Sequence, residues 1–520
     1  MGREIVRQES PKEHGKRSRL WFHKDIVEVL EENLGTSKIE MICLDSSSIE
    51  VVVDWNGKAF MKMKNLKTLI IKQGHFSKCP TNFPSSLRKF ANRKVLNFED
   101  SEYLTHIPDV SGLSNLEEFS TKSCKNLLTI HNSIGYLNKL KDLNAEECSQ
   151  LRSFPPLKLP SLKKLQLSGC MRLKSFPEIL GEMQNVTVIQ FYATSIEEFT
   201  LSFQNLTRLW LLLVEGNGIH RLSSSILMMP NLWSVHASNC HLLLPTQNDT
   251  EMSSKLKSLE LHNCSMLDEF LPEVLTLLTN LTLLDLSRNY FTVLPECLKE
   301  CRSLYNLCLD DCKFLREIRG IPLKLKLLSA KRCVSLTPAS KSILLNQELH
   351  EAGNTHFCFS TGIEKIPEWF EHQSKECTIS FWFRNYIPSV NLIFVTKMKN
   401  GTDTSIECSV SFNLFINGYG YNTNSNNIDD SWPEIPSGHA YLYDPQLHRW
   451  KLDNFERLNR KVEVPEFKIK LEEALLKNEW IQAKVTYAYG RDEALHLESG
   501  IHIFKKKNSM EDIRFINPYD

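Results

Sequence analysis

The chain of 520 residues lacks the features that mark a membrane protein or a nucleic-acid binder. No segment comes near the roughly 18 consecutive apolar residues that a transmembrane helix needs. Lysine plus arginine and aspartate plus glutamate number 62 each, so the net charge is zero. A neutral chain has no bulk attraction to nucleic acid or to acidic membranes. We therefore expect neither of these as a partner.

The first 23 residues, MGREIVRQESPKEHGKRSRLWFH, lack a recognisable targeting signal. They contain no apolar stretch of the about 7–15 residues that a secretory signal requires. Myristoylation needs Ser or Thr at position 6, where Val6 stands. Glu4, Glu9 and Glu13 are out of place in a transit peptide, which is poor in acids. We expect the protein in the cytoplasm or the nucleus.

Motifs of catalysis and cofactor binding are also missing. The sequence contains no Gly-rich phosphate loop, no His-Glu-x-x-His and no Gly-x-Ser-x-Gly. CLKECRSLYNLCLDDC (297–312) is rich in cysteine, but its C-x3-C-x6-C-x3-C spacing fits no usual zinc module. We predict a protein that is not an enzyme and holds no metal and no cofactor.

The sequence does contain an internal repeat. LKKLQLSGCMRLKSFP (162–177) and LKSLELHNCSMLDEF (256–270) share the template L-x-x-L-x-L-x-x-C/N-x-x-L-x-x-F/L. Most copies are spaced about 20–29 residues apart, which is the range of leucine-rich repeats. IEMICL (39–44) is a first copy, and Leu87 begins a degenerate one. The clearer copies start at Leu66, Leu116, Leu140, Leu162, Val186, Leu206, Leu232, Leu256, Leu281, Leu304 and Leu325.

The template predicts one short strand per repeat. Alternate residues of a strand point to opposite sides, so the leucines of L-x-L face inward. Stacked repeats then bury a continuous core, which a single repeat cannot do, and we predict an α/β solenoid (horseshoe) of about 12–13 turns.

Position 9 of the template holds seven of the fifteen cysteines. We predict that this side chain is buried and serves the tight turn after the strand, so the cysteines are structural thiols. Within 297–312, Cys308 should then face outward and Cys312 inward. The residues at position 9 are Cys124, Cys148, Cys170, Cys240, Cys264, Asn289, Cys312 and Cys333.

The variable residues that flank each strand are predicted to form a concave, exposed surface. Trp, Tyr and Arg at such places are the residue types that anchor protein interfaces, although isolated exposed aromatics are also normal. Solenoids bind partners on extended concave faces. We predict a protein-binding surface that contains Lys163, Lys164, Arg208, Trp210, Trp233, His236 and Tyr305.

The residue pattern changes after the repeats, which end near Leu336. Residues 340–356 are typical of a short helical or loop connector. Beyond it, β-branched and aromatic residues alternate with polar ones between Gly-, Asn- and Pro-rich turns, which predicts an all-β antiparallel sandwich of jelly-roll or Ig-like type. The predicted strands are 377–383, 390–396, 406–416, 439–444, 462–471, 480–489 and 500–506.

The two ends of the chain carry a family resemblance. IPEWFEHQSKECTISFWF (366–383) resembles the opening motif of the C-JID domain that follows the repeats of plant TIR-NB-LRR immune receptors, and GIHIF (500–504) is similar to the strand that closes it. Residues 1–45 look like the segment that joins the winged-helix part of the nucleotide-binding (NB-ARC) module to the first repeats. In that family, MGREIVRQES follows the nucleotide-sensing Met-His-Asp motif, so we interpret Met1 as an internal methionine. The resemblance covers essentially the whole chain.

The resemblance implies the domain boundaries. Residues 1–36 correspond to a remnant of the winged-helix region, 37–340 to the repeats and 341–357 to a connector. Residues 358–506 correspond to the C-JID-like sandwich and 507–520 to a tail.

In 23–35 the apolar Ile26, Val29, Leu30 and Leu34 have helical spacing, with Gly35 as the C-terminal cap. We expect part of this apolar face to be exposed, because it would normally pack against the nucleotide-binding domain.

The resemblance also implies a function, namely a non-catalytic recognition module in plant defence. Its partners would be a pathogen effector, a guarded host protein or the nucleotide-binding domain of a receptor. The TIR and nucleotide-binding segments are absent from these residues, so NAD cleavage and nucleotide exchange are not assigned. The family pattern departs around Leu206, where position 9 lacks Cys or Asn, and after Leu244, where a long insertion follows.

Three alternatives compete with this interpretation. A standalone repeat adaptor or decoy needs no immune switch, and an adaptor of a ubiquitin ligase would need an F-box-like segment ahead of the repeats, which we do not find. A secreted or cell-surface repeat protein would need a signal peptide and paired capping cysteines. An enzyme is the least favoured.

Overall fold

The structure of the chain is a computed structural model. It describes residues 2–45, 52–53, 60, 62–72, 75–76, 94–102, 104–197, 199–215, 221–243, 255–351, 353, 355–360, 365–376, 378–386, 388, 390–396, 407–416, 419–422, 435–436, 439–443, 470–471, 473–489, 497–504 and 509–519. The chain forms two compact units, Met1–Met266 and Leu267–Asp520. The predicted repeat at Leu87 and the insertion after Leu244 lie outside the described residues.

The first unit contains a parallel strand for each described repeat. Because each described strand except Lys164–Gln166 hydrogen-bonds to the strand of the next repeat, the predicted repeat architecture is confirmed. Seven strands form one parallel sheet, in the order Arg19–Leu20, Met41–Asp45, Thr68–Lys72, Val95–Asn97, Glu118–Ser120, Asp142–Asn144 and Lys164–Gln166. Four more pair in parallel in the order Val188–Tyr192, Leu211–Glu215, Ser234–Ser238 and Ser258–His262.

The template leucines of these strands form the core. In Val188–Tyr192 every second residue is buried, and Ile189 and Phe191 point inward. Leu140, Leu143 and Leu165 of the preceding repeats are buried as well. Burial of such a side chain contributes about 1.5–3 kcal/mol, and in a solenoid the burying surface belongs to the neighbouring repeats.

A left-handed residue precedes position 9 in every described repeat turn. Its φ lies between 50° and 76°, a conformation that costs a non-glycine residue about 1–2 kcal/mol. Only one of these residues is a glycine, so interactions elsewhere in the turn must offset the cost. The residues are Asp100, Ser123, Glu147, Gly169, Ala193, Asn239, Asn263, Arg288, Asp311 and Arg332.

The side chain at position 9 supplies such an interaction. The cysteines there are buried, as predicted, and most donate their thiol to the main-chain carbonyl at position 6 of the preceding repeat. Burial raises the pKa of the Cys148 thiol to about 11, so it stays protonated and can donate at neutral pH. The Sγ–O distances are 3.0 Å for Cys124 to Phe98, 3.0 Å for Cys148 to Thr121, 3.1 Å for Cys170 to Ala145, 3.5 Å for Cys264 to Ala237, 3.2 Å for Cys312 to Leu286 and 3.0 Å for Cys333 to Leu309.

One repeat starts three residues later than predicted. Leu212, not Leu209, pairs with Ile189 at position 4 of the previous repeat. The repeat therefore begins at Leu209, and its position 9 falls on Asn217, outside the described residues. The apparent loss of Cys or Asn around Leu206 was an error of register.

The N-terminal segment packs onto the first repeats. Its helix His23–Glu31 lies against the strand Met41–Asp45, and Ile26, Val29 and Leu30 are fully buried. Of the predicted apolar face, only Leu34 is exposed, so the expectation of a partly exposed face is met at that residue alone. The left-handed residue after the helix is Asn33, with φ 57°, rather than the predicted Gly35.

Buried charge fixes this segment in place. The guanidinium of Arg17 donates to the carboxylate of Asp25, and both side chains are nearly inaccessible. Arg17 also donates to the carbonyl of Ser10 at 2.8 Å. Removal of one partner of such a buried pair costs about 3–5 kcal/mol, because the other charge is left uncompensated.

In the second unit the repeats continue into an antiparallel sheet. His356–Ser360 pairs in parallel with the repeat strand Leu327–Ala330 and antiparallel with His439–Tyr443. The strand begins at His356, within the segment predicted as a connector. The sheet order in this unit is Leu283–Asp285, Asn306–Cys308, Leu327–Ala330, His356–Ser360, His439–Tyr443, Val390–Thr396, Leu497–Ile503 and His372–Ser374.

A second sheet of this unit is wholly antiparallel. Its order is Tyr419–Asn422, Glu407–Ile416, Ile481–Tyr489, Thr378–Phe383 and Ile513–Arg514, and Ile435–Pro436 pairs with Glu407–Ile416. Six of the seven predicted strands are therefore confirmed; 390–396 has the predicted ends, and the ends of the other five are shifted. The seventh, 462–471, lies mostly outside the described residues, and its last two residues, Lys470 and Leu471, are helical instead.

The two motifs behind the family resemblance meet in this unit. His372 pairs with Ile501 in the antiparallel register. The ring of His502 is hydrogen-bonded through Nδ1 to the carbonyl of Trp369 at 2.9 Å and to the carboxylate of Glu371 at 3.0 Å. The hydrogen-bonded residues are 133 and 131 positions apart in sequence, so this contact joins distant parts of the unit.

The helices are short and serve as connections. None of those in the described residues could cross a membrane. The α-helices are Gly2–Glu9, His23–Glu31, Ser224–Leu227, Phe270–Leu277, Pro338–Leu344 and Gln347–His350, and the 3-10 helices are His14–Lys16, Asn132–Tyr136, Leu201–Asn205, Glu296–Glu300 and Met510–Asp512. Short parallel strand pairs join Val52–Val53 to His75–Phe76, His106–Ile107 to Thr129–Ile130, Arg221–Ser223 to His241–Leu243, and Val293–Leu294 to Glu317–Ile318.

If the position-9 thiols stabilise the repeats, removal of one of them should lower the free energy of unfolding. We expect Cys148→Ala to lower the free energy of unfolding by about 1–2 kcal/mol, because it removes a buried sulfur and its contact to the preceding repeat. Cys297→Ala is the matched control, since this half-buried thiol lies outside position 9 and should change stability by less than about 0.5 kcal/mol. Urea unfolding measures both, and equal losses in the two variants would contradict the role of position 9.

Candidate functional site: the strand face of the first unit

The exposed side chains at template positions 2, 3, 5 and 7 in Met1–Met266 form a surface that we call the strand face. Successive strands are in register, so side chains at one position form a column across the repeats. The register aligns Glu118, Asp142 and Lys164 at position 3. The position-2 column contains Glu40, Lys67, Lys94, Glu117, Lys141, Lys163, Thr187, Trp210, Trp233 and Lys257.

The position-2 column begins with ion pairs between repeats. Lys67 lies 3.1 Å from Glu40. Glu117 lies between two lysines, with Lys94 at 2.8 Å and Lys141 at 2.5 Å. Hydrogen bonds from Lys141 and from Lys94 lower the pKa of Glu117 to about 2.

Position 7 shows the same pattern of pairing. Lys72 lies 2.6 Å from Glu99, and Lys122 lies 3.1 Å from Glu146. Exposed pairs of this kind contribute little to stability. Their consequence is electrostatic, because they neutralise the strand face over the first repeats.

The pairing stops at Lys163 and Lys164. Both side chains are exposed. Among the residues that the structure describes, no carboxylate lies within ion-pairing distance of either ammonium group, although Asp142 is aligned with Lys164 one strand away. The two lysines are therefore the first unneutralised positive charges along the position-2 and position-3 columns.

The parallel sheet opens beside these lysines. The amide at position 2 normally donates to the position-2 carbonyl of the preceding repeat, as Lys163 does to Lys141 at 2.8 Å and Trp210 to Thr187 at 3.0 Å. Within the described chain, Thr187 makes no such bond to Lys163, and the two neighbouring strands are not paired. The repeats stay joined at the other end of the strands, where the amide of Gly169 donates to the carbonyl of Tyr192 at 2.8 Å.

A cleft of about 520 Å³ lies at this opening. Most of its lining residues are of polar types, and they come from three adjacent repeats. The carboxylate in the lining, that of Glu146, is engaged by Lys122 and by the side-chain amide of Gln166. The lining residues are Glu146, Lys163, Lys164, Leu165, Gln166, Ser168, Asn185, Thr187, Val188 and Gln190.

Aromatic side chains follow on the next two repeats. Trp210 and Trp233 are adjacent at position 2, with ring centroids 6.5 Å apart, and 42% and 50% of their surfaces are exposed. Val188 and Tyr192 are also exposed on the strand that borders the cleft. The strand face therefore changes from paired charges to free lysines and then to large apolar rings.

His236 lies at position 5 of the repeat that carries Trp233. Its ring is hydrogen-bonded to the hydroxyl of Ser234 at 2.9 Å and lies 3.1 Å from the carboxylate of Glu260. These contacts hold the ring on the strand face, next to the tryptophan pair rather than within it.

Two predicted site residues are placed elsewhere. Arg208 is exposed, but it precedes the strand Leu211–Glu215 and stands outside the strand positions, because the repeat begins at Leu209. Tyr305 is 44% exposed at position 2 of its own repeat in the second unit. The prediction missed Val188, Tyr192 and Gln190, whose outward positions in VTVIQFY (186–192) follow from the template.

The cysteines of 297–312 serve separate places in the repeats. Cys301 and Cys312 are buried, while Cys297 and Cys308 are half-buried, which confirms the predicted orientations of Cys308 and Cys312. The structure's described part contains no group of three or more His, Cys, Asp or Glu side chains that could hold a metal ion.

Comparisons with known proteins match the repeats to a family. Residues 158–364 match the family described as disease resistance protein RPS4B-like, leucine-rich repeats. The range includes the tryptophan pair and every lining residue of the cleft except Glu146. The TMV resistance protein N of Nicotiana glutinosa is 26% identical over 505 residues, which cover 73% of this chain and 44% of that protein. The disease resistance protein RPS6 of Arabidopsis thaliana is 30% identical over 415 residues, which cover 65% of this chain and 36% of that protein.

These matches confirm the resemblance to plant TIR-NB-LRR disease resistance proteins. The chain spans less than half the length of these relatives. A leucine-rich repeat protein of Leptospira interrogans with a solved structure is 19% identical, with a TM-score of 0.33 over 66% of this chain and 89% of that one. The repeat fold of this chain is thus established by its own strands.

Because two lysines flank Glu117, we expect its carboxyl to titrate at an unusually low pH. Since the pKa of this carboxyl is lowered from its ordinary 4.5 to about 2, its ion pairs are complete above pH 4.5 and are lost as the pH falls toward 2. We expect Glu117 to remain ionised at pH 3 in a carbon-13 NMR titration of side-chain carboxyls, with Glu117→Gln providing the assignment. In a Lys94→Gln/Lys141→Gln variant the midpoint should return toward 4.5. An ordinary midpoint in the unmodified chain would contradict the bridging geometry.

Proposed function

We propose that the chain is a non-catalytic recognition module of an intracellular plant immune receptor, since residues 158–364 match the repeats of disease resistance proteins. The module binds a pathogen effector or a guarded host protein, and binding takes place on the strand face. The observation that carries the proposal is the exposed pair Trp210 and Trp233, which lies inside the matched range.

The physical support comes from the composition of the strand face. Tryptophan, tyrosine and arginine are the side chains that most often dominate protein interfaces. The two exposed tryptophans directly precede adjacent strands, and they give a rigid apolar anchor because the amide of Trp233 donates to the carbonyl of Trp210 at 2.9 Å. The leucines face the core, so substitutions on the strand face change binding without changing the fold.

The proposal extends to the C-terminal part of the second unit. We infer that its antiparallel sheets form a jelly-roll or Ig-like sandwich that corresponds to the C-JID domain and contributes to recognition. The joined motifs around Trp369 and His502 support this inference. The receptor would act in the cytoplasm or the nucleus. The nucleotide-binding domain of a receptor is a further partner in this proposal.

A standalone adaptor or decoy is the second candidate function. The same strand face supports it, because it needs only a protein-binding surface and no switch. Both candidates require binding through Trp210 and Trp233, so the first experiment addresses the surface, and reconstitution of a defence response addresses the immune role.

The binding test uses the tryptophan pair. The chain is co-expressed with a panel of secreted proteins from plant pathogens, and a co-purifying partner is then titrated against variants. We expect Trp210→Ala/Trp233→Ala to weaken binding by at least about tenfold, as anchors at interface centres do, while the melting temperature moves by only a few degrees, as is normal for surface substitutions. Interferometry measures the affinity and calorimetry measures the melting.

The matched control is a second exposed aromatic pair. Tyr290 and Phe314 have centroids 5.9 Å apart and exposures of 47% and 53%, but they lie outside the repeat strands. Tyr290→Ala/Phe314→Ala should leave the affinity unchanged. Equal affinity of both double variants for the partner, or a collapse of stability in the tryptophan variant, would refute the strand face as the binding surface.

A further inference from the structure

We propose that the cleft at Lys163 and Lys164 binds an acidic segment of the partner protein, with its carboxylates against the two ammonium groups. This inference rests on the proposed function, because it specifies the chemistry of the partner at the same strand face. It goes further in assigning separate tasks to two parts of that face: the lysines take a charged segment, and the tryptophans take an apolar one.

The charge pattern is the first argument. Five lysines on the preceding repeats, at positions 67, 72, 94, 122 and 141, each lie within 3.1 Å of a glutamate on a neighbouring repeat. Lys163 continues the position-2 column and Lys164 lies beside it at position 3. In the described part of the chain, no carboxylate lies within ion-pairing distance of either ammonium group. A complementary charge from a bound protein would complete the pattern.

The open sheet is the second argument. Because Thr187 does not bond to the carbonyl of Lys163, the face recedes there into a cleft of about 520 Å³, where neighbouring repeats otherwise present a closed ladder. The cleft brings together two lysines and the amide side chain of Gln190. Amide and ammonium groups are hydrogen-bond donors for carboxylate oxygens.

The negative groups near the cleft leave a net positive charge at the two lysines. Glu146 is hydrogen-bonded to Lys122 and Gln166, so its charge is balanced within the protein. Asp142 stands one strand from Lys164 and interacts with it electrostatically, so one aspartate opposes the two lysines. A carboxylate that enters the cleft therefore meets net positive charge.

The surroundings favour an acidic peptide over a nucleic acid. The positive region is only two lysines wide, and the charged side chains before it are neutralised pairs. A polyphosphate backbone needs an extended run of unpaired cations to release its counterions. The exposed Val188 and the tryptophan pair beyond it suit an extended protein segment in which acidic residues are followed by apolar ones.

The direct test uses two defined peptides. One is a fluorescein-labelled dodecapeptide of six Glu-Leu repeats, and its twin has Gln in place of every Glu. At low ionic strength we expect the full chain to bind the Glu peptide at least about fivefold more tightly than the Gln peptide, with the preference fading in high salt as the charges are screened. Fluorescence anisotropy measures both affinities.

Variants assign the preference to the cleft. Lys163→Gln/Lys164→Gln should abolish it, whereas Lys141→Gln, which removes the same type of charge one repeat earlier from an existing pair, should retain it. Circular dichroism melting checks that all variants are folded. The inference is overturned if the Glu peptide has no advantage, if the advantage survives in the double variant, or if a single-stranded oligonucleotide of 20 nucleotides displaces the peptide through the same lysines.

The affinities of the two double variants for the protein partner distinguish this inference from the proposed function. If Trp210→Ala/Trp233→Ala weakens the partner and Lys163→Gln/Lys164→Gln does not, the recognition surface stands and the acidic-segment inference falls. Weakening by both double variants supports the two together. If neither double variant affects the partner, both are rejected.

Discussion

Stacking of neighbouring repeats is the constraint on which the rest of the structure depends. A repeat has too little buried surface to be stable alone, so each one completes the core of the next. The position-9 thiol couples this stacking to the backbone. Its hydrogen bond reaches the carbonyl at position 6 of the preceding repeat, as Cys148 does to Thr121, beside a left-handed residue that the turn requires. The same side chain therefore fills the core and holds the turn.

Because stacking occupies the leucines and the position-9 side chains, the remaining strand positions are free to vary. On the strand face they change from paired charges to unpaired lysines and then to tryptophans. The transition coincides with the place where Lys164–Gln166 and Val188–Tyr192 do not pair. A surface of this kind has the two features of a recognition site, a charged region for orientation and an apolar anchor for affinity.

The sequence predicted the features that repeat and missed those that depend on one location. The leucine template identified the core and the role of Cys124 or Cys312, because each copy supports the others. It misplaced the repeat at Leu206, since Leu206 and Leu209 both fit the first template position. The opening of the sheet beside Lys163 could not be predicted from the sequence, because the repeats on both sides of it match the template. The strand His356–Ser360 was hidden in an apparent connector, since its pairing partners are a repeat strand and a strand about 80 residues later.

The central claim is that the strand face between Lys163 and Trp233 contacts a partner protein. Site-specific photo-crosslinking tests it most directly, with benzoyl-phenylalanine introduced at Thr187, an exposed position-2 residue between the lysines and the tryptophans. The account predicts a covalent adduct with the partner from Thr187 and none from Tyr290 outside the strands. Adducts from Tyr290 alone would contradict it.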